Sequence, residues 1–408
     1  MGFEELSLEL TDEQKSLCDA VKKFCAEVWR PAAIELDKLS DPQDVIAPGS
    51  ILWDVLGKSY RLGYHTMTIP KELGGMRPDG LTSALMLENM GWAAADLAVS
   101  LTASCVPFLY APLSPDPKVQ DLTRQFCEDR EAKMIGCFAI TEPEHGSDWW
   151  LLEMKYSIDQ KSAPSLRAVL DGEEYVINGQ KSSWISNGTI ATHALLFICL
   201  DPSAGMYGGC GIAVIPLNYP GISRGKPLDK LGQRALNQGE IFFDNVRIPQ
   251  ANVICQDLAS YYALTIANVS VANATIGSIF TGTAQAALDE ALQYARDRLQ
   301  GGKPIFHHQN VQLKLFDMFT SVEAARSLSR RVMVYNSITV PPASQYSAAS
   351  KVFSTETAFR VASQAIQIFG GYGLSRDFHI EKIFRDARAA MIEDGVNETI
   401  ALSAARNL

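Results

Sequence analysis

The sequence predicts an α+β fold with an N-terminal all-helical domain, a middle β-barrel or sandwich domain and a C-terminal four-helix bundle. Apolar residues recur at helical spacing up to about residue 135 and again after residue 253. Between these limits the apolar period is closer to two, and Gly and Pro separate the apolar runs. The order helices, strands, helices argues against a Rossmann domain, which needs βαβ alternation. We therefore expect domains at residues 1–135, 136–253 and 254–408.

Composition restricts the class of protein. The chain has 408 residues and is 47% hydrophobic, which suffices for the cores of two or three domains. Its formal net charge of −10, without a long basic run, argues against a nucleic-acid partner. Eight scattered cysteines without a C-x-x-C pair disfavour metal clusters and disulfide frameworks and suit a reducing cytoplasm. With no signal-like N-terminus and no 18-residue apolar run, we expect a cytoplasmic protein without a membrane partner.

The N-terminal domain begins with a clear helix signal. Thr11 and Gln14 form a capping-box pattern before apolar residues at helical spacing. Further helices are expected over residues 53–62 and 81–101, and the second of these carries Asp96. Residues 108–117 contain three prolines and are expected to form a loop.

The β-domain is predicted from short apolar runs between turn residues. The expected strands cover residues 134–140, 175–177, 194–200, 211–217 and 240–246. Asn178 and Gly179 are a hairpin signal. Trp149 and Trp150 are expected either to cover a ligand site or to pack on a neighbouring helix.

The C-terminal bundle is predicted from four helical patterns with short connections. These cover residues 272–298, 309–335, 344–370 and 379 to the C-terminus. Gly277 and Gly282 are expected to allow close helix packing, and Ser344 is the expected N-cap of the third helix.

The polar stretch at residues 138–148 is the first functional motif. It follows an apolar strand and reads Phe-Ala-Ile-Thr-Glu-Pro-Glu-His-Gly-Ser-Asp. Pro143 cannot donate a ladder hydrogen bond, and Gly146 lets the backbone approach a ligand closely. Together with the hydroxyls of Thr141 and Ser147, such a rim can bind a flat, polar heterocycle. Considered alone, the stretch fits an ordinary polar loop better.

Three later motifs change that balance. Residues 178–188 combine the Asn-Gly turn signal with Ser-Ser-Trp-Ile-Ser-Asn-Gly, residues 239–249 read Gly-Glu-Ile-Phe-Phe-Asp-Asn-Val-Arg-Ile-Pro, and residues 370–373 read Gly-Gly-Tyr-Gly. In order and spacing, the four motifs resemble the acyl-CoA dehydrogenase family of flavoproteins. The resemblance covers nearly the whole chain, so we expect the fold of that family and bound FAD.

The resemblance implies a flavin site in the middle domain. Trp184 matches the residue that covers one flavin face, and Ser186 matches the hydroxyl that reaches flavin N5; the alternative for Trp184 is an ordinary core aromatic. The positions that match the flavin rim are Phe138, Ile140, Thr141, Gly146 and Ser147. The positions that match the site for the pyrophosphate and adenine half of a neighbouring subunit's FAD are Arg298, Gln309, Gln367, Gly370 and Gly371. Gly301 departs from the family by replacing a Phe beside the adenosine, so we expect looser binding there.

The resemblance also implies a reaction, the α,β-dehydrogenation of an acyl thioester. Gly395, Asn397 and Glu398 fix the register of the family's catalytic stretch and place Asp394 at the position of the α-proton base. Glu393 is adjacent, but successive side chains usually point in different directions. Val396 replaces a Thr that ordinarily touches the flavin, and we group Val396 and Glu398 with the cofactor-binding residues.

Two further positions bear on the substrate. The second base position of some relatives matches Ala272, and the Asp-x-x-Arg of the family matches Ser270 and Asn273, so those charges are absent. Asp96 lies on the helix that borders the acyl pocket in relatives. Together, Asp394 and Asp96 fit an alicyclic acyl thioester; the alternative for Asp96 is a helix cap or surface charge.

The partners implied are a CoA thioester and an electron-transfer flavoprotein or other acceptor, with the chain assembled as a homotetramer or homodimer. Three alternatives stay open. The altered Ser270 and Asn273 positions give weight to a dehydrogenase of carrier-protein-bound acyl or aminoacyl groups. A flavin monooxygenase on this fold and a non-catalytic flavin-binding homologue are the others.

Overall fold

The computed structural model describes residues 10–150, 160–406 and 408. Helices precede and follow a β-domain along the chain, which confirms the predicted fold class. The N-terminal helices are α1 Asp12–Phe24, α2 Arg30–Lys38, α3 Pro42–Ile46, α4 Ile51–Arg61, α5 Gly80–Ser104, α6 Val106–Tyr110, α7 Pro117–Gln120 and α8 Leu122–Glu128. The capping box at the start of α1 is present, since Thr11 and Gln14 bond to each other's backbone N–H groups. The predicted loop over residues 108–117 is partly helical, because α6 extends into it.

Helix α5 crosses the centre of the molecule and is bent. Ala94 has extended dihedrals (φ −165°, ψ 95°), which divide α5 into two helical segments. At the crossing with α10, the two backbones nearly touch: a Cβ on Gly282 of α10 would lie 1.9 Å from the carbonyl oxygen of Glu88. Helix α10 also packs closely on the helix over residues 344–369, where a Cβ on Gly277 would lie 2.3 Å from Ser350 Oγ. The predicted packing role of both glycines is therefore confirmed.

The β-domain is one eight-stranded sheet in the order β6-β7-β3-β2-β4-β5-β8, with β1 paired parallel to β4. Alternate residues of β4 face two different apolar clusters: Leu196 packs against strands β3 and β7, whereas Leu195 packs against helices. The strands are β1 Gly136–Ala139, β2 Arg167–Asp171, β3 Glu174–Lys181, β4 His193–Cys199, β5 Cys210–Pro216, β6 Ile222–Arg224, β7 Ile241–Pro249 and β8 Val253–Cys255. Both faces of the central strands are thus covered.

The hairpin predicted at Asn178 and Gly179 is wrong. Strand β3 runs through both residues, and the register against β7 shifts between Ile177 and Gly179. Gly179 has φ +129°, so here glycine supplies a bulge rather than a turn. The hairpin lies instead at Gly172, which has φ +66° and connects β2 to β3.

The C-terminal part forms the predicted bundle, with different helix ends. A short helix, α9 Gly205–Gly208, precedes it in the β-domain. Helix α10 begins at Leu258 rather than near residue 272, and α12 has Ala343, not Ser344, at its N-cap. The predicted last helix is two helices separated by residues 391–396. The elements are α10 Leu258–Asp297, β9 Leu299–Gln300, β10 Lys303–Pro304, α11 Gln309–Ile338, α12 Ser344–Phe369, α13 Ile380–Ala390 and α14 Asn397–Ala405.

Two helical stretches are apolar and long enough to cross a membrane, Gly80–Leu113 and Ala259–Asp297. Of their most apolar windows, 72% and 56% are buried inside the protein. One continuous apolar core joins the N-terminal helices to the bundle. The hydrophobicity of α5 and α10 is therefore accounted for by their packing against each other.

Candidate active site

A cavity of about 460 Å³ opens where α5, α10, the β-domain and the segment between α13 and α14 meet. It is mostly apolar, with polar side chains contributed by several elements. One group of lining residues follows the ends of β1 and β3, and another comprises residues 393–395. A mostly apolar cavity with a few convergent polar groups is the usual form of a cofactor or substrate site.

The β-domain wall contains the predicted flavin-rim residues. Trp184 is 60% exposed, an unusual degree for the most bulky apolar side chain, and it faces this cavity. The cavity-lining members of the rim are Phe138, Ile140, Thr141, Gly146, Ser147, Trp184 and Ser186. The structure thus brings together residues from two motifs that lie about 40 positions apart in sequence.

A buried ion pair holds this rim in place. Lys181 at the end of β3 is fully buried and donates to the backbone carbonyl of Ile140 (3.0 Å) and to Glu142 Oε1 (2.8 Å). The Glu142 carboxylate also accepts from the backbone N–H of Ser165 (2.5 Å). Because a buried lysine is stable only with its donors satisfied, these contacts fix the position of the turn after β1.

The rim has the chemical character that a flavin requires. A Cβ on Gly146 would meet nothing within 4 Å, so the backbone there is open to close approach by a ligand. Gln238 Nε2 donates to the carbonyl of Trp184 (3.3 Å) and supports the segment that carries the indole. Hydroxyls from Thr141, Ser147 and Ser186 and the uncovered indole face suit a flat, polar ring system. The residues present therefore fit a flavin.

Another part of the lining is a sharp turn between α13 and α14. Asp394 has φ +49° and Gly395 has φ +96°. Asp394, the predicted base, is thus a non-glycine residue with positive φ. Positive φ is unfavourable for Asp by comparison with Gly and is common at functional sites. The N–H of Val396 donates to Ser147 Oγ (2.9 Å), which ties this turn to the flavin rim.

The turn brings two adjacent acidic residues to the cavity. Both Glu393 and Asp394 line it. Gln233 Nε2 holds Glu393 by donating to its Oε1 (3.0 Å).

Burial and mutual repulsion set the protonation of this pair. Asp394 keeps an exposed surface toward the cavity, but protein surrounds it on its other sides, and this burial raises its pKa. Burial and the Asp394 charge raise the pKa of Glu393 to about 7. Lys351 acts in the opposite direction on both groups. A raised pKa brings a carboxylate closer to the value that suits a general base near neutral pH.

The remaining wall of the cavity is apolar or neutral. From α10 it includes Asn268, Ala272 and Thr275, so no ionisable side chain of the described part of α10 lines it. Ser270 and Asn273 are buried (1% and 2% exposed) and lie outside the described lining. The far end, contributed by α5 and α6, is lined by Val99, Thr102, Ala103, Cys105, Val106 and Leu109.

Asp96 does not lie where the sequence analysis expected it. It is fully buried and absent from the described cavity lining. Its Oδ1 accepts from the backbone N–H of Leu97 (3.0 Å) just after the bend in α5, and its Oδ2 accepts from Lys382 Nζ (2.9 Å). Lys382 also donates to Asp386 Oδ2 (2.5 Å). Asp96 therefore acts as an internal cap and ion-pair partner, which corrects the acyl-pocket assignment.

The residues predicted for the adenine half of FAD lie away from this cavity. Arg298 follows α10 and is exposed, with its guanidinium 5.5 Å from the ring of Tyr372. The other members, also exposed and outside the described lining, are Gln309, Gln367, Gly370 and Gly371. Val396 and Glu398 are outside the lining too, although Val396 touches Ser147 through its N–H.

Three charged residues near the site were not predicted from the sequence. Lys230 lines the cavity and donates to the carbonyl of Leu236 (2.7 Å) and Gln238 Oε1 (2.8 Å), and burial lowers its pKa to about 8. Arg388 of α13 also lines the cavity. Lys351 has no exposed surface and lies on a face of α12 with small buried residues such as Ser347 and Ala348. An ionisable residue among such small neighbours was the available signal.

Sequence comparisons agree with this architecture. Models for the N-terminal, middle and C-terminal domains of acyl-CoA dehydrogenase match residues 11–113, 137–246 and 262–408. The chain is 33% identical over 402 residues to cyclohex-1-ene-1-carbonyl-CoA dehydrogenase of Geobacter metallireducens, covering 98% of each protein. It is 30% identical to the mitochondrial short-chain specific acyl-CoA dehydrogenase of Rattus norvegicus, covering 98% of this chain and 91% of that protein.

Structural comparison gives the same result. The glutaryl-CoA dehydrogenase complex with glutaryl-CoA superposes with a TM-score of 0.84 at 26% identity, covering 100% of this chain and 96% of the other. The fold and the cavity define an oxidoreductase of the flavin-dependent class. The chain belongs to the acyl-CoA dehydrogenase family. Membership implies a flavin cofactor and action on acyl-CoA.

Proposed function

We propose that this protein is an FAD-dependent dehydrogenase that introduces an α,β double bond into an acyl-CoA thioester. Asp394 removes the α-proton. A bound flavin supplies the two-electron acceptor that takes the β-hydrogen as a hydride. The observation that carries the proposal is the cavity itself, because the flavin-compatible rim and Asp394 line the same cavity.

The protein residues have separable parts in this reaction. Phe138, Trp184 and Ser186 support binding and orientation of the cofactor. Asp394 holds the abstracted proton, and its raised pKa favours proton transfer from a weak carbon acid. The apolar lining beyond it excludes water from the acyl group. Reoxidation by an electron-transfer flavoprotein or another acceptor completes turnover in this proposal.

The acyl group that we propose is compact, either cyclic or branched. Aspartate is one methylene shorter than glutamate, which leaves more room between the base and the flavin wall. The part of the cavity lined by α5 and α6 has apolar side chains such as Val99 and Leu109, which suit an apolar acyl group. The relative from Geobacter metallireducens is named for a cyclohexene thioester, which supports a cyclic acyl group.

A substrate screen tests this function. Oxidised protein is mixed without oxygen with straight, branched and cyclic acyl-CoA thioesters, and bleaching of the flavin absorbance is followed. We expect bleaching with at least one cyclic or branched thioester and slower bleaching with straight chains longer than the cavity. Stable yellow protein that no thioester of any class bleaches would contradict the dehydrogenase function.

Replacement of Asp394 tests the base. Asp394→Asn removes basicity and nearly conserves shape, so single-turnover flavin reduction is expected to slow by about 10²–10⁴-fold. Thioester binding, measured from the shift in flavin absorbance, is expected to persist. The matched control is Glu393→Gln on the adjacent carboxylate, for which we expect a smaller effect. Full-speed reduction by Asp394→Asn together with an inactive Glu393→Gln would assign the base to Glu393.

A further inference from the structure

A buried lysine supports the turn that carries Asp394. Lys351 lies on α12 and has no exposed surface. Its Nζ donates to the carbonyl of Gly395 (2.7 Å) and to Asn397 Oδ1 (2.7 Å), the residues one and three positions after Asp394. Asn397 is itself held by Thr355, whose Oγ1 accepts from Asn397 Nδ2 (3.0 Å). The ammonium therefore contacts the turn from α12, and Lys351 is outside the described lining of the cavity.

The Lys351 ammonium is bound by uncharged oxygens, which leaves its positive charge without a carboxylate in direct contact. Carbonyl and amide oxygens satisfy the lysine, so within the described ion pairs no carboxylate contacts it directly. Its charge is left to act on the nearby carboxylates, which are Asp394, Glu393, Glu398 and Glu356. In an interior of low dielectric constant, such an interaction is much stronger than in water.

Other charges also face Asp394, and they do not duplicate this one. Glu393 on the same turn repels it. Lys230 from the β-domain donates to the Leu236 carbonyl and to Gln238 Oε1, and its charge interacts first with Asp96 and then with Glu393 and Asp386. Arg388 lines the cavity from α13. Among the described residues, Lys351 is the cation whose charge opposes the effect of burial on Asp394.

We propose that Lys351 is a positioning residue that holds the Asp394 turn in its left-handed conformation and keeps the Asp394 carboxylate ionised. This inference rests on the proposed function, because it assumes that Asp394 is the base. It adds a second requirement: a cation outside the described cavity lining must hold the turn that carries the base. One hydrogen bond from the ammonium holds the backbone carbonyl of Gly395, and the other holds the Asn397 side chain. The same positive charge favours the ionised form of Asp394.

The test is a titration of Asp394 in the oxidised protein without substrate. Infrared difference spectra follow the carbonyl stretch of protonated carboxyl groups, and the band that is lost in Asp394→Asn identifies Asp394. In Lys351→Met and in the more polar Lys351→Gln, we expect the midpoint to move up by about one to three pH units, the usual effect of one adjacent opposite charge. An unchanged midpoint in either folded variant would overturn the proposal.

A matched variant separates charge from anchoring. Thr355→Val removes the contact with Asn397 but leaves the Lys351 ammonium in place, so its midpoint is expected to stay at the wild-type value. A shift in Thr355→Val as large as that in Lys351→Met would show that loop packing alone is responsible. The pH profile of single-turnover flavin reduction should move in parallel with the infrared midpoint and recover at high pH.

Failure of this proposal and failure of the proposed function are distinguishable. Full-speed reduction by Asp394→Asn would remove Asp394 as base, while the infrared titration would still report whether Lys351 controls its ionisation. Slow reduction by Asp394→Asn with an unmoved midpoint in Lys351→Gln would keep the base and exclude the positioning role. A loss of rate in Lys351→Met that is equal at all pH values would also exclude it.

Discussion

The turn that carries Asp394 is held by two hydrogen bonds, one from Lys351 to the carbonyl of Gly395 and one from the N–H of Val396 to Ser147. Asp394 could be placed because Gly395, Asn397 and Glu398 follow it in a recognisable order. The conformation of the turn, with φ +49° at Asp394, could not be predicted from the sequence. Backbone conformation in a turn is set by tertiary contacts, here the bonds from Lys351 and to Ser147, which sequence periodicity does not report.

Glu393 gives a pH-dependent prediction at this scale. Burial and the Asp394 charge raise its folded-state pKa to about 7, whereas the unfolded chain titrates near 4.5. The unfolded state therefore loses this proton first, and the contribution of Glu393 to stability falls as pH rises from 4.5 through 7. Glu393→Gln cannot ionise, so it should match the wild type near pH 4.5 and be more stable above pH 7.

The measurement is denaturant unfolding of both proteins from pH 4.5 to 8.5. Glu27→Gln, which replaces an exposed carboxylate in the N-terminal helices, is the control and should show no such pH dependence. A difference between Glu393→Gln and wild type that is constant across the range would contradict the raised pKa.

Helices were predicted well at the element scale, and their ends and bends were not. The bend in α5 has no proline or glycine at Ala94 to signal it. Asp96 explains the bend, because its carboxylate caps the second segment and pairs with Lys382 from a distant helix. A partner 286 positions away in sequence cannot be inferred from local patterns. The same limit applies to α10, whose first residues pack on the β-domain.

The Asp96 contacts predict a loss of stability rather than of catalysis. Asp96→Asn leaves Lys382 with one buried carboxylate instead of two, and breaking such buried pairs costs about 3–5 kcal/mol. Since Asp386 remains, we expect the lower end of this range in denaturant unfolding. The flavin reduction rate of the folded variant should stay close to wild type.

The control for Asp96 is Asp54→Asn, which breaks an exposed pair with Lys58. Exposed pairs of this kind contribute about 0–1 kcal/mol. If Asp96→Asn were as stable as Asp54→Asn but changed turnover with the true substrate, Asp96 would have to contact the acyl group after all.

At the scale of the whole molecule, three domains were predicted from the sequence, but the apolar core shared by the two helical domains was not. The helical parts share one apolar core through α5 and α10. Periodicity identifies which face of a helix is apolar, and it does not identify the helix that this face meets. For the same reason, the residues matched to the adenine half of FAD could be named but not located. They lie exposed and apart from the cavity, as a site serving a neighbouring subunit requires.

This separation predicts complementation between two defective chains. If each FAD is shared, a complete site needs Asp394 from one subunit and Arg298 from its neighbour. Arg298→Ala loses charge-assisted bonds to phosphate, worth about 1.5–3 kcal/mol each, so FAD occupancy should fall. Asp394→Asn keeps FAD but lacks the base. In a mixed oligomer, the Arg298→Ala chain supplies Asp394 and the Asp394→Asn chain supplies Arg298, which restores one intact site.

The experiment is co-expression of the two chains with different affinity tags and isolation of the mixed oligomer. FAD content and single-turnover flavin reduction are then compared with each variant alone. We expect activity in the mixed oligomer that neither parent shows, because the two defects fall together in the other site. If both residues served the same subunit's FAD, every chain would carry one defect and mixing would restore nothing. Inactive mixed oligomers would therefore reject the shared site, and a monomeric wild-type protein would reject it without any variant.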